Sequence, residues 1–93
     1  MAVLFVTEYA DIRGNAAFEP RTTDQTVAIG AGSLQSNAFN VNTRFIRVHT
    51  DAICSIDVGV NPTATAVKSR LAAGQTEYFY VYPAHKIAVI TNT

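Results

Sequence analysis

The sequence predicts an all-β chain: an antiparallel β-sandwich or open barrel of about seven to eight short strands, with an irregular N-terminal arm. Three observations carry that expectation. Alternating apolar and polar residues recur at the period of two that a half-buried strand needs, most clearly at residues 43–48 and 76–82. Turn residues separate the runs at short intervals: Gly30-Ala31-Gly32, Asn61-Pro62, Gly74 and Pro83. No segment convincingly sustains the period of an amphipathic helix.

Residues 2–6 form a strand-like run. Residues 7–24 then show no steady period and contain Gly14, Asn15 and Pro20. Residues 1–24 are therefore expected to be a strand and extended arm, and residues 25–93 the sandwich domain. Phe5, Tyr9, Ile12 and Phe18 are the apolar anchors of the first part. They either fold back on their own core or dock on a neighbour, as long irregular segments often do. Deletion of the arm is expected to leave a folded domain that no longer assembles. Regular patterning starts at residue 25. Residues 25–29 place Val27 and Ile29 on one face, and residues 34–39 make the next strand before an asparagine-rich link at 40–42.

The densest pattern is residues 43–66, TRFIRVHTDAICSIDVGVNPTATA. Ile46 and Val48 share one strand face, with Phe45, Arg47 and His49 on the other. Cys54, Ile56 and Val58 share a face opposite Ile53, Ser55 and Asp57. A three-residue turn, Thr50-Asp51-Ala52, pairs Val48 with Cys54 and Ile46 with Ile56 and gathers five apolar side chains on one face. A two-residue turn breaks that set, so a hairpin with the longer turn is expected, although it lacks the usual glycine. Asn61-Pro62 ends the pair. A loop follows with a short strand near 68–71, then a turn at 72–75. The strand at 76–82 sets Tyr78, Tyr80 and Tyr82 opposite Phe79 and Val81. After Tyr82-Pro83-Ala84-His85, the closing strand at 86–91 carries Ile87-Ala88-Val89-Ile90, apolar on both faces as in a sandwich interior.

Ninety-three residues make one small domain. Surface scaling has such a chain bury a little under two thirds of its extended surface, a thin margin that burial against a neighbour would widen. Seven basic and seven acidic residues balance, and no charge run occurs, so no general attraction for nucleic acid or anionic membrane is written in the chain. The single cysteine, Cys54, excludes an internal disulfide and a cysteine-rich zinc site and fits a reducing cytoplasm. Residues 1–6 lack the basic region and the length of a secretory signal. No apolar run approaches the roughly 20 residues of a membrane helix.

Cys54, His49 and Asp51 supply the residue types of a thiol nucleophile and its base, but such a nucleophile needs the base within hydrogen-bond reach. The register sets Cys54 and His49 on opposite faces, so Cys54 is expected to be a buried small hydrophobe. His49 and His85 with Asp51 or Asp57 are too few and too loosely spaced for a metal site. Glu8, Glu19 and Glu77 form no acid–base pair motif, and Gly30, Gly32 and Gly74 are turn residues rather than a phosphate cradle. Hence no catalytic, cofactor-binding or metal residue is expected. The candidate site residues are interaction side chains: Phe5, Tyr9, Ile12, Phe18, Phe45, Arg47, Tyr78, Tyr80 and Tyr82. With Arg44, Arg47, Lys68 and Arg70, the three tyrosines also meet the needs of a single-stranded nucleic-acid-binding small β-barrel. Formal neutrality favours tyrosines half-buried at a protein interface instead.

The series Thr43-Arg44-Phe45-Ile46-Arg47-Val48, then Asp51-Ala52-Ile53-Cys54-Ser55-Ile56, Gly59 and Asn61-Pro62-Thr63-Ala64-Thr65, resembles small structural proteins of tailed bacteriophage virions. So does the close, Leu71-Ala72-Ala73-Gly74-Gln75-Thr76-Glu77-Tyr78-Phe79 with Lys86-Ile87-Ala88-Val89-Ile90. The resemblance runs from residue 25 to 93 and is weaker before it. It departs at Pro83-Ala84-His85, where the family often carries a glycine, which leaves the turn type open. The resemblance implies a non-enzymatic virion protein made in the bacterial host cytoplasm. Its first form is a capsid decoration (cement) protein that binds between capsomers, partnering the major capsid protein and copies of itself as a homo-oligomer. A neck, tail or head-fibre component is the alternative. It implies no cofactor, nucleic acid, membrane or small-molecule substrate.

Overall fold

The computed structural model describes residues 2–10, 12–13, 16–17 and 23–92, with backbone alone at 12–13 and 16–17. Its strands are β1 (Val3–Tyr9), β2 (Ile12–Arg13), β3 (Ala16–Ala17), β4 (Thr23–Ala28), β5 (Leu34–Gln35), β6 (Phe45–Thr50), β7 (Cys54–Gly59), β8 (Ser69–Leu71), β9 (Thr76–Tyr80) and β10 (Lys86–Thr91). Eight of them form two antiparallel four-stranded sheets. Sheet I has the order β4-β1-β6-β9, sheet II the order β5-β10-β7-β8, and β2 pairs with β3. The all-β sandwich is therefore the fold, and the open-barrel alternative falls away because the sheets are separate.

Alternation builds the core. Leu4, Val6, Ile46 and Val48 project from sheet I, and Cys54, Ile56, Leu71, Ile87 and Val89 from sheet II, with Val27 and Phe39 completing the cluster. Phe79 and Val81 pack against it, as their opposition to the tyrosines predicts. After β4, every connection except β7–β8 crosses from one sheet to the other. That is the wiring of a double-sheet jelly roll, entered one strand out of phase. The first strand, β1, fills the inner position between β4 and β6 that the last strand would otherwise take. Backbone bonds Ile29 N–H to Ala2 O (3.1 Å) and Thr91 N–H to Gly30 O (2.9 Å) hold both described ends of the chain at one end of the sandwich.

Two expectations are corrected. The first is the hairpin. β6 pairs with β1 and β9, whereas β7 pairs with β10 and β8, so Val48 does not pair with Cys54 nor Ile46 with Ile56. The chain arches from one sheet to the other at Asp51-Ala52-Ile53. The Thr50 hydroxyl shapes the arch by donating to Ala52 O (2.6 Å) and accepting from Ala52 N–H (3.2 Å). The face assignment survives, because strands stacked across a core and strands paired in a hairpin can bury the same set. The second is the N-terminal arm. The strand extends from Val3 to Tyr9 rather than ending at residue 6, and it lies inside sheet I, matched by six residue pairs to β4 and six to β6. Residues 3–9 thus belong to the sandwich, and the division after residue 24 cuts through β4.

Smaller differences follow local chemistry. The strand expected at 34–39 shortens to Leu34–Gln35, because Ser36 turns its hydroxyl to the backbone of Asn37 and Ile87. β9 ends at Tyr80 rather than Tyr82. The turn that follows places Ala84 at φ 67°, the left-handed region where glycine is at ease.

Candidate interaction face

The two outer faces of the sandwich differ. On sheet II, Ser55 and Ala88 point outward yet are fully buried, because residues 61–66 cross over them. Gln35 Nε2 donates to Asn61 Oδ1 (2.8 Å) and Pro62 O (2.7 Å), and Ala64 N–H donates to Ser33 Oγ (2.9 Å). Asn92 Nδ2 donates to Ser55 Oγ (2.7 Å) and Ala66 O (3.2 Å). The chain seals this face with its own loop.

Sheet I presents a chemical grid on its outer face. Register sets Thr26, Phe5, His49 and Thr76 in one row across the strands, and Asp24, Thr7, Arg47 and Tyr78 in the next. Tyr9, Phe45 and Tyr80 make a third. Phe45 is the centre of an aromatic cluster: its ring stacks on Tyr78 (centroids 5.6 Å, planes 13° apart) and meets Tyr80 at 5.4 Å and Tyr9 at 6.1 Å. The cluster buries Phe45 and Tyr9, while Tyr78 is 53% and Tyr80 76% exposed. Tyr82 lies beyond β9, 72% exposed, its ring 5.4 Å from that of His85. With Arg44, Tyr80, Val81 and Pro83 it lines an open depression of about 500 Å³. Arg44 Nη1 is held there by the carbonyls of Val41 (3.2 Å) and Thr43 (3.3 Å).

Six of the residues singled out in the sequence, Phe5, Tyr9, Phe45, Arg47, Tyr78 and Tyr80, therefore share this one face, and Tyr82 borders it. Ile12 contributes its backbone to β2, and Phe18 lies outside the described residues. The sequence did not point to Thr7, Asp24 and Thr26. They join the face only through the pairing of β1 with β4, for which no local signal exists.

Cys54 and His49 are separated as expected. Cys54 is fully buried in the core, its Sγ 3.5 Å from Thr50 Oγ1, while the His49 ring on the outer face bonds Thr76 Oγ1 (2.8 Å) through Nδ1. Burial pushes the Cys54 thiol above its ordinary range, an effect the Thr50 hydrogen bond partly offsets. A polar thiol reagent is expected to modify native Cys54 no faster than the domain opens, and His49→Ala should not alter the rate. Cys54→Ala should cost about 1–2 kcal/mol through a small cavity. Rapid labelling of native protein, slowed by His49→Ala, would contradict both. Among the described residues, no group of three or more His, Cys, Asp or Glu is placed to hold a metal ion.

No known protein family, no curated protein and no solved structure matches the chain.

Proposed function

We propose that this protein is a non-enzymatic structural component of a tailed-phage virion. In this reading it is a capsid decoration protein that grips the shell through the tyrosine end of sheet I. The observation that supports a docking role is the asymmetry of the sandwich. One outer face is sealed by its own loop, whereas the other holds Tyr78 and Tyr80 in solvent around a stacked Phe45, with the exposed Tyr82 at its border. Rigid aromatic anchors beside an arginine are the side chains that dominate protein–protein interfaces, because they bury much area for little lost conformational freedom. The virion itself enters through the sequence resemblance over residues 25–93. The fold adds analogy alone, since jelly rolls serve in viral capsid and lectin domains alike. A neck, tail or head-fibre component would use the same face in fewer copies.

Single-stranded nucleic acid is the second reading, favoured by the stacked Phe45–Tyr78 pair near Arg44 and Arg47. Formal neutrality weighs against it. Co-sedimentation with expanded shells of the encoding phage separates the two. Wild-type protein should bind, and Tyr80→Ala should weaken binding at least about tenfold, a hot-spot loss, without unfolding the domain. Oligonucleotide affinity at low salt should be no tighter than about 10⁻⁴ M. A micromolar, salt-sensitive oligonucleotide complex lost in Tyr80→Ala would overturn the virion reading.

A further inference from the structure

The sandwich has four edge strands, β4 and β9 on sheet I and β5 and β8 on sheet II. An edge strand offers a row of unpaired N–H and C=O groups to another chain unless something shortens, covers or charges it. On sheet II both edges are short, two residues in β5 and three in β8. On β4 the link after β5 is tied against the strand, where Gln25 accepts from Asn37 N–H (2.9 Å) and donates to Asn37 O (3.3 Å). β9 is different. It is five residues long and has no proline or lysine. Its one charge, Glu77, turns to the inner side, where Gln75 Nε2 donates to it (2.7 Å).

The backbone shows which groups β9 offers. Val81 N–H donates to Arg44 O (2.9 Å), and Thr50 N–H donates to Gln75 O (3.2 Å). Residues 75, 77, 79 and 81 therefore turn their polar backbone groups towards β6. Those of Thr76, Tyr78 and Tyr80 point away from the sheet, and among the described residues they have no partner. The exposed rings of Tyr78 and Tyr80 stand beside them on the outer face.

We propose that β9 pairs antiparallel with β9 of a second copy, about a twofold axis at Tyr78, closing a homodimer in which the two four-stranded sheets I become one. This register joins Tyr78 to its own copy and Thr76 to Tyr80 in both directions, so all three outward-directed residues exchange N–H···O bonds. The side chains agree with it. On the outer face Tyr78 meets Tyr78 and each Tyr80 lies beside a Thr76, and aromatic–aromatic and aromatic–β-branched pairs are favourable across strands. On the inner face each Glu77 meets Phe79 rather than its own copy. A step of the register one way sets Glu77 directly opposite Glu77, which is destabilising. A step the other way sets Thr76 opposite Tyr82, beyond the end of β9, where the Tyr82 carbonyl already accepts from His85 N–H (3.3 Å). One register suits two identical strands, and that self-complementarity makes a second copy the occupant.

The dimer shares Tyr78 and Tyr80 with the docking face but joins them through their backbone, leaving two tyrosine clusters side by side on the joined sheet. Its test uses the isolated chain, so its failure is distinct from failure of the virion reading. Sedimentation equilibrium of the full chain over roughly 1 µM to 1 mM, the range of a small interface, should follow a monomer–dimer equilibrium. Amide hydrogen exchange should slow with concentration at Thr76, Tyr78 and Tyr80 and not along β4. Tyr78→Pro removes the N–H at the axis without touching a bond to β6, and should weaken association by about tenfold or more. Tyr78→Phe keeps that N–H and should dimerise like wild type. Glu77→Gln, which relieves the diagonal repulsion between the two carboxylates, should tighten the dimer. If Tyr78→Pro does not fold, the exchange pattern of the wild-type chain decides alone. A chain monomeric throughout, a folded Tyr78→Pro that still dimerises, or protection gained on β4 instead of β9 would overturn the proposal. So would a trimer, which a twofold contact using each edge once cannot build.

Discussion

A chain lacking residues 1–9 is expected not to fold. β1 is an inner strand, so its removal strips one side of the ladder from β6 and leaves β4 with no neighbour in sheet I. It also empties the core of Leu4 and Val6, at 0% and 1% exposure. Truncating a buried leucine alone costs about 2–5 kcal/mol, against a total stability of about 5–15 kcal/mol for a small domain. Loss of two core side chains and two strand pairings exceeds that reserve. Far-UV circular dichroism and amide NMR of the truncated chain should report an unfolded protein. Val6→Asp, which puts a charge into the same core, should do the same by point substitution. A dispersed amide spectrum from the truncated chain would contradict the structure and restore the reading of this stretch as a docking arm.

Glu8→Ala is expected to cost about 3 kcal/mol. Glu8 follows Leu4 and Val6 on the inner face of β1 and is fully buried. Its Oε1 accepts from Asn40 N–H (2.8 Å) and Thr43 Oγ1 (2.8 Å), and its Oε2 accepts from Gln25 Nε2 (2.9 Å). The carboxylate therefore pins the long link between β5 and β6 to the sheet that carries the aromatic face. Alanine removes the carboxylate that the buried Thr43 hydroxyl and the part-buried Asn40 N–H and Gln25 amide share, and Gln25 Nε2 keeps only its bond to Asn37 O (3.3 Å). An acceptor lost to a buried donor costs about 1–3 kcal/mol before relaxation. Glu8→Gln can keep both bonds at Oε1 and lose only the one to Gln25, so its cost should be about 1 kcal/mol. Urea unfolding at neutral pH measures the pair. An alanine variant as stable as wild type, or a glutamine variant less stable than alanine, would show that the link is held by something else.

Glu8 also explains where sequence reading stopped. The inward positions of β1 are Leu4, Val6 and Glu8. The buried carboxylate interrupts the apolar alternation at the point where the strand was expected to end. The tyrosine stripe was legible because Tyr78 and Tyr80 alternate with inward-packed Phe79 and Val81, and β10 because its core is apolar throughout. The arch at Asp51-Ala52-Ile53 was not. Alternation tells which face of a strand is buried and leaves open whether the next strand lies beside it or across the core. The missing turn glycine after Thr50 was the one local sign against a hairpin. At the candidate site, Phe45, Arg47 and the tyrosines could be read from single strands. Their union with Phe5, Thr7 and Asp24 depends on pairings between distant segments, which local pattern does not encode.

The proposed virion role is tested most directly by counting. Quantitative mass spectrometry of washed, purified particles of a tailed phage whose genome carries this chain would give the copies of the chain per major capsid protein. A decoration protein should be present in a fixed ratio commensurate with the capsomers, and Tyr80→Ala should lower that ratio while leaving the capsid protein unchanged. Absence of the chain from washed particles would contradict a virion role altogether, and a handful of copies per particle would contradict the decoration role and assign the protein to the neck, tail or fibre.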